Sequence, residues 1–155
     1  MIRPIAILSS IILLFSLNCS PPVEKLDDGL VIKTSSNSVD STYQKLHRLI
    51  SDNPNLSIVA ELDHQKNAAS VDLELPPTRI ILFGNPKLGT PLMQQSQTAG
   101  IDLPQKMLVY EEDGVVKIAY NDPEYLLKRH KLTNLDNVLS TMSKALDNLS
   151  EMASK

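Results

Sequence analysis

His64 is the side chain whose type and position best suit acid–base chemistry in this sequence. It follows Asp63 at the end of an apolar stretch, residues 56–62, that is rich in β-branched residues and predicts a strand. Imidazole exchanges protons near neutral pH, so His64 is a candidate acid or base. Neighbours on a strand point to opposite faces, and Asp63 therefore cannot orient His64 directly. The alternative is that His64 hydrogen-bonds a loop backbone and takes no part in chemistry.

Arg79 and Asn85 flank a second apolar strand, predicted over residues 79–83. A guanidinium group is costly to bury unless it is paired, so we expect Arg79 to meet Asp102, Glu74 or the carboxylate of a ligand. A structural salt bridge is the simpler of these outcomes, and an anion clamp is the functional one. The turn-forming run that ends the strand places Asn85 at its tip, where we count it as a ligand-binding candidate.

Residues 87–103 are predicted to form a long loop that carries the main contact surface. Loops beyond roughly a dozen residues are usually functional, and this one contains several apolar side chains among glutamines and prolines. We expect Ile101 and Leu103 to point inward, and Leu92 and Met93 to face a small ligand, a partner protein or a second copy. Thr90 and Pro91 predict the cap and first residue of a short helix over 91–95, whose free amides suit an anion. The apolar side chains of the loop are Leu88, Leu92, Met93, Ile101 and Leu103.

No sequence motif assigns a reaction to these residues. The chain has neither a Walker pattern nor a dinucleotide fingerprint, and nothing beyond a His64 and Met93 pair suggests haem, so we expect no cofactor and no metal. Two function classes remain. The first is a binding or interaction module, and the second is a small enzyme that uses His64 as acid or base with Arg79 as anion clamp. The first is favoured because no nucleophile motif or second histidine lies near His64 in the sequence.

The first residues predict export and a membrane anchor. An apolar run over 5–17 follows Arg3 and is too short for a membrane span, so 1–18 is interpreted as an export signal. Cys19, the only cysteine, lies where a bacterial lipoprotein signal places its lipidated residue, although the residues before it depart from the usual pattern. We therefore predict a cell-envelope lipoprotein anchored through Cys19, with a plain secretory signal as the alternative. Residues 19–28 are then a polar tether.

The charge balance argues against nucleic acid as a partner. Removal of Arg3 with the signal changes the formal net charge of −3 to −4, and an acidic protein of this kind lacks a basic footprint. A small anionic ligand or a homodimer remains possible for the mature chain. The remaining residues, 29–155, suit one domain with an ordinary hydrophobic core, since a single cysteine forms no internal disulfide.

The order of predicted elements indicates an α+β domain. A strand at 30–34 precedes an amphipathic helix with Ser38 as its N-cap, and a hairpin turns at Asp113-Gly114 before a helix capped by Asp122. A final helix from about residue 134 has one apolar stripe. We expect an antiparallel sheet of about four to five strands with helices packed on one face. Both His47, off the apolar stripe of the first helix, and His130, in the last turn of another, are predicted to be solvated.

Five segments together resemble the family known as domain of unknown function 302. They are DH at 63–64, LELPPTR at 73–79, FGNPKLGTPLM at 83–93, IDLP at 101–104 and YNDP at 120–123. The resemblance extends from residue 29 to about 132. It implies a compact α+β domain, found alone or as a module, and implies no agreed activity.

Overall fold

A computed structural model describes residues 23–26 and 29–155. Cys19 and the predicted export signal lie outside these residues. The described part contains one antiparallel sheet of six strands in the order β1-β2-β6-β5-β4-β3. This confirms the predicted α+β class. The sheet has six strands, whereas about four to five were predicted. The extra strand, β1 (Val23–Lys25), lies in the segment predicted to be a tether, where it pairs with β2.

Twelve elements follow one another within residues 23–26 and 29–155. They are β1 (Val23–Lys25), β2 (Leu30–Thr34), α1 (Val39–Ser51), β3 (Ser57–Asp63), α2 (His64–Ala69), β4 (Thr78–Gly84), α3 (Pro86–Gln95), a 3₁₀ helix (Gln97–Ile101), β5 (Gln105–Glu112), β6 (Val115–Asn121), α4 (Pro123–His130) and α5 (Asp136–Ser154). No helix within the described ranges is both long and apolar enough to cross a membrane.

Local sequence signals fix several of the boundaries as predicted. The Ser38 hydroxyl accepts a hydrogen bond from the Ser41 amide and caps α1, and Asp122 caps α4 through the Glu124 amide. Asp113 and Gly114 both have positive φ angles, 52° and 75°, which a tight hairpin turn requires.

Helices α1 and α5 cover one face of the sheet, which confirms the predicted one-sided packing. The main hydrophobic cluster lies between these helices and the strands, with Leu46, Ile81, Val109 and Ile118 fully buried. Lys33 is on the same face and is only 2% exposed. Its ammonium group lies 2.6 Å from Asp147 Oδ1 of α5, which compensates the charge and ties α5 to β2.

A second hydrophobic cluster joins α3, the 3₁₀ helix, α4 and α5 beyond the end of the sheet. Its buried members are Leu92, Ala99, Leu126, Leu132, Leu139 and Met142. Because α5 contributes residues to both clusters, it connects them.

Candidate functional site

The segment predicted to be a long loop is mostly helical. Asn85 caps α3 by accepting a hydrogen bond from the Lys87 amide at 2.9 Å, and Pro86 occupies the first helical position, where it costs nothing. The predicted helix start at Thr90 is therefore wrong, because the Asn85-Pro86 pair supplies a cap and a fixed φ one turn earlier. The expected free amides at 91–95 are interior to this helix.

A cavity of about 330 Å³ opens between the two hydrophobic clusters. Its walls come from the end of β4, the start of β5, α3, α5 and the residues around the start of β3. Most of the lining is apolar, and no charged residue contributes to it. The lining includes Leu56, Val59, Phe83, Leu88, Met93, Leu103, Met142 and Leu146, with Ser57, Asn85, Thr90 and Gln105 as polar members. Such a lining suits an uncharged apolar ligand.

Asn85 and Met93 lie in the cavity wall, but the expected orientation of the neighbouring side chains is wrong in two places. Leu92 is 0% exposed and belongs to the second hydrophobic cluster, whereas Ile101 is 72% exposed. The cause is the helix: successive residues of α3 point in directions about 100° apart, so Leu92 is turned into the second hydrophobic cluster while Met93 lies at its edge, in the cavity wall. Leu103 lines the cavity as a partly buried residue.

Arg79 is paired, but with partners that differ from those expected. Its guanidinium carbon lies 3.7 Å from the centroid of the Tyr43 ring, and Nη1 lies 3.3 Å from Asp40 Oδ1. Tyr43 also donates a hydrogen bond of 2.5 Å to Glu61 Oε2. Burial, followed by this carboxylate, raises the pKa of Tyr43, and Arg79 opposes the increase. The structure thus gives Arg79 a structural salt bridge with Asp40, and neither Asp102 nor Glu74 is its partner.

His64 is the first residue of α2, and Asp63 caps this helix by accepting from the Lys66 amide at 3.0 Å. That backbone hydrogen bond lowers the pKa of Asp63. Asp63 pairs with Arg79 across β3 and β4, so His64 and Arg79 share one end of the sheet. Asn85 follows the opposite end of β4, about 20 Å away along the strand. The three candidates therefore do not converge on one pocket.

Gln105 is a cavity residue that the sequence interpretation missed. It is only 8% exposed, lines the cavity, and has no side-chain hydrogen bond to any residue in the described ranges. Its position could have been found from the strand alternation, because Gln105 has the same parity as the buried Met107 and Val109. Its amide atoms are not among the fully buried side-chain atoms that lack a partner, so they are open to water or to a polar group of a ligand in the cavity.

His130 was predicted to be solvated, and that prediction is wrong because the side chain belongs to a polar network. Its side chain is 5% exposed, with Nε2 2.5 Å from Asp102 Oδ2 and Nδ1 2.9 Å from Thr98 Oγ1. Arg129 Nη1 lies 3.3 Å from Asp102 Oδ1. The sequence signal fails because the 3₁₀ helix folds back over the end of α4, a contact between residues about thirty positions apart. This network fastens α4 to the 3₁₀ helix. His47, the third histidine, is half-exposed and lies 3.4 Å from Glu61.

Comparisons with known proteins agree with this fold. The chain is 39% identical over 114 residues to two proteins named fluoride-specific ion channel FluC 1, from Brucella suis biovar 1 and Brucella abortus biovar 1. The match covers 72% of this chain but only 44% and 42% of those proteins, so the chain spans less than half their length.

A solved structure of an uncharacterised conserved protein from Bacillus stearothermophilus superposes with a TM-score of 0.72 at 18% identity. The superposition covers 82% of this chain and 98% of that one, and it establishes the shared fold. Residues 31–149 match the family described as Domain of unknown function DUF302. Because this match spans most of the sequence and the fold agrees, the chain belongs to the DUF302 family.

Proposed function

We propose that this protein is a binding module that holds a small, uncharged, mainly apolar molecule with one hydrogen-bonding group. The observation that carries the proposal is the 330 Å³ cavity, which lies between two hydrophobic clusters and is lined almost wholly by apolar side chains. Its volume is at the lower end of the range for small-molecule sites, about 300–1,000 Å³. An apolar ligand gains free energy there by leaving water, at roughly 25 cal/mol for each Å² buried.

Two amides in the wall supply the polar part of recognition. The oxygen of Asn85 is used by the α3 cap, which leaves its NH₂ group as a donor for a ligand oxygen. The Gln105 amide, which also lines the cavity, offers both a donor and an acceptor. Because neither group is charged, the site favours a neutral alcohol, amide or ester over a carboxylate. The small anionic ligand expected near Arg79 remains a separate prediction, which the Asp40 carboxylate beside Arg79 makes less favourable.

Filling the cavity from α5 tests the proposal. Ala145 lines the cavity, and Ala145→Phe places a ring in the space that the ligand would occupy. Asn148→Phe is the matched control, since Asn148 is exposed on the same helix. The probe is the neutral fluorophore Nile red, with mass spectrometry of small molecules that copurify with the protein.

We expect Nile red to bind the wild-type protein and the control, with at least tenfold weaker binding by Ala145→Phe. Gln105→Leu should still bind Nile red, but it should no longer copurify with a molecule that hydrogen-bonds the Gln105 amide. Equal Nile red affinity for all variants would place the apolar binding surface elsewhere and contradict the proposal. Failure of the wild-type protein to bind either the probe or any cellular molecule would do the same.

We further propose that the module is held at the cell envelope by lipidation of Cys19. The support is the short apolar run before this cysteine, together with the absence of a second cysteine that would pair with it. Two or more acyl chains give stable membrane attachment, whereas one chain is marginal. Cys19→Ser should move the protein from the membrane fraction to the soluble fraction. Unchanged membrane association of this variant would refute lipid anchoring.

The Brucella relatives suggest a second candidate, a module that works beside a membrane transport protein. The favouring observation is that proteins named as fluoride-specific ion channels contain a region 39% identical to this chain. A strain that lacks this protein should then be more sensitive to fluoride, and the wild-type gene should restore growth. Equal fluoride tolerance of the two strains would remove this candidate and leave the cavity proposal untouched.

A further inference from the structure

A second, more open depression adjoins the cavity at the end of α3. It is formed by the second half of α3 and the start of the 3₁₀ helix, and its lining residues are Thr90, Met93, Gln94, Gln95 and Gln97. None of these residues is charged, and three of them carry a side-chain amide. We call this depression the glutamine groove. Thr90 and Met93 also line the cavity, so the cavity and the groove share a boundary and can hold parts of one molecule.

The cavity follows α3 along its length. Pro86, Gly89, Thr90 and Met93 lie on one side of this helix at the spacing that α-helical geometry requires, and all four line the cavity. Pro86 occupies the first turn of the helix, whereas Met93 is close to its end at Gln95. The cavity is therefore elongated parallel to α3, and its two ends lie beside the two ends of the helix.

Residues 100–104 run beside α3 in the opposite direction. A Cβ added at Gly84, just before α3, would lie 3.5 Å from Pro104. Near the other end of α3, a Cβ added at Gly100 would lie 3.4 Å from Met93 Sδ. These contacts bring the two segments side by side, which gives the elongated cavity a second wall that runs in the same direction as α3.

Uncharged amides lie at the end of the cavity where α3 begins. Gln105 is the cross-strand partner of Phe83, which precedes Asn85 by two residues, so the two amides belong to the same end. Both line the cavity. Met93 is eight residues after Asn85, a distance of about 12 Å along the helix at about 1.5 Å per residue. The glutamine groove therefore begins about 12 Å from the first polar end.

Two glutamines in the groove are free to meet a ligand. The side-chain amide of Gln95 is held by the Thr133 backbone, with hydrogen bonds of 2.8 and 3.0 Å. The exposed side chains of Gln94 and Gln97 form no hydrogen bond to any residue within 23–26 and 29–155. Each of these amides offers donors and an acceptor to a hydroxyl group, and neither discriminates in favour of a charged group.

We propose that the cavity and the glutamine groove together bind an elongated, neutral molecule that is polar at both ends and apolar between them. This inference rests on the proposed binding function of the cavity and specifies the class of its ligand. One polar group hydrogen-bonds Asn85 or Gln105, the apolar chain lies along α3, and the second polar group meets Gln94 and Gln97. An extended chain advances about 1.2 Å for each bond, as the polypeptide backbone does, so about ten bonds span the 12 Å between the ends. An α,ω-diol of about ten carbons is the simplest member of this class.

Displacement of Nile red from the full chain by 1,10-decanediol and by 1-decanol tests the inference. The two molecules differ only in the second hydroxyl group. If that group were placed against an apolar wall without a partner, it would weaken binding about tenfold or more. We expect 1,10-decanediol to displace Nile red at a concentration within about threefold of that required for 1-decanol, because the groove supplies the partner.

Replacing the free glutamines tests where the second hydroxyl group binds. The double variant Gln94→Ala and Gln97→Ala should bind 1,10-decanediol about three- to tenfold more weakly than the wild type, with its affinity for 1-decanol changed less than about twofold. Gln65→Ala is the matched control, since Gln65 is exposed on α2 and lines neither the cavity nor the groove. Gln97→Ala alone repeats the test if the double variant loses its far-ultraviolet circular dichroism signal.

The outcomes separate this inference from the proposed function. A wild-type protein that does not bind Nile red would overturn both. If Nile red binds and Ala145→Phe weakens it, but 1,10-decanediol is at least about tenfold weaker than 1-decanol, only the present inference is overturned. Equal 1,10-decanediol affinity for the wild type and the folded glutamine variants would also overturn it, because the second hydroxyl group would then lie in water. Selective loss of the diol in the glutamine variants, with retention in Gln65→Ala, would support it.

Discussion

Leu92→Ala should destabilise the protein strongly, although Leu92 lies in the segment whose sequence suggests a contact surface. Its side chain is 0% exposed and packs in the second hydrophobic cluster with Leu126 and Leu139. The substitution removes three carbon groups at about 0.8 kcal/mol each, or about 2.4 kcal/mol of transfer free energy. The cavity that remains raises the expected loss to about 3–4 kcal/mol.

Urea unfolding followed by circular dichroism measures this loss, and a fall in melting temperature of about 10 °C should accompany it. Met93→Ala is the matched comparison, because Met93 is partly buried in the cavity wall. It should cost about 1–2 kcal/mol and weaken Nile red binding. A loss below about 1 kcal/mol for Leu92→Ala would show that the side chain is not in the core and would refute the reasoning.

Three further predictions follow from single contacts. Gly89→Ala should stabilise α3 by about 0.5–1 kcal/mol, because alanine is favoured over glycine inside a helix and the added Cβ would meet Leu103 at an ordinary 3.5 Å. Urea unfolding measures this gain, and a loss of stability would show that the contact with Leu103 is strained. The raised pKa of Tyr43 favours its neutral form, so its contribution is present below the unfolded pKa of about 10 and is lost as pH rises above it. Tyr43→Phe should therefore lose less stability than the wild type between about pH 8 and 11, and equal losses would contradict this cause. A double-mutant cycle of Asp102→Asn and His130→Ala should give a coupling free energy of about 1–3 kcal/mol, whereas additive effects would mean that the 2.5 Å contact contributes nothing.

Local signals in the sequence determined most of the secondary structure. Ser38 and Asp122 are capping residues with helical periodicity behind them, and Asp113-Gly114 is a turn dipeptide with alternating strands on either side. These features act within a few residues, so they can be predicted without knowledge of the fold. The same holds for the α+β class, which follows from the order of the elements.

The candidate site depended on contacts that no local pattern contains. Asn85 and Met93 lie in the cavity wall, and their predicted ligand-binding role stays a prediction; Leu92 and Ile101 were assigned the wrong directions because α3 was taken for a loop. Gln105 was missed because its burial depends on the helices that cover β5.

The partners of the charged side chains depend on the tertiary structure alone. Arg79 meets Asp40 and Tyr43, and His130 meets Asp102, across 28 to 39 residues of chain. A charged side chain takes whichever partner the packing of elements brings within about 4 Å, and several acids in the sequence were equally plausible. The sequence could show that these groups needed partners, but only the assembled sheet and helices selected which ones they have.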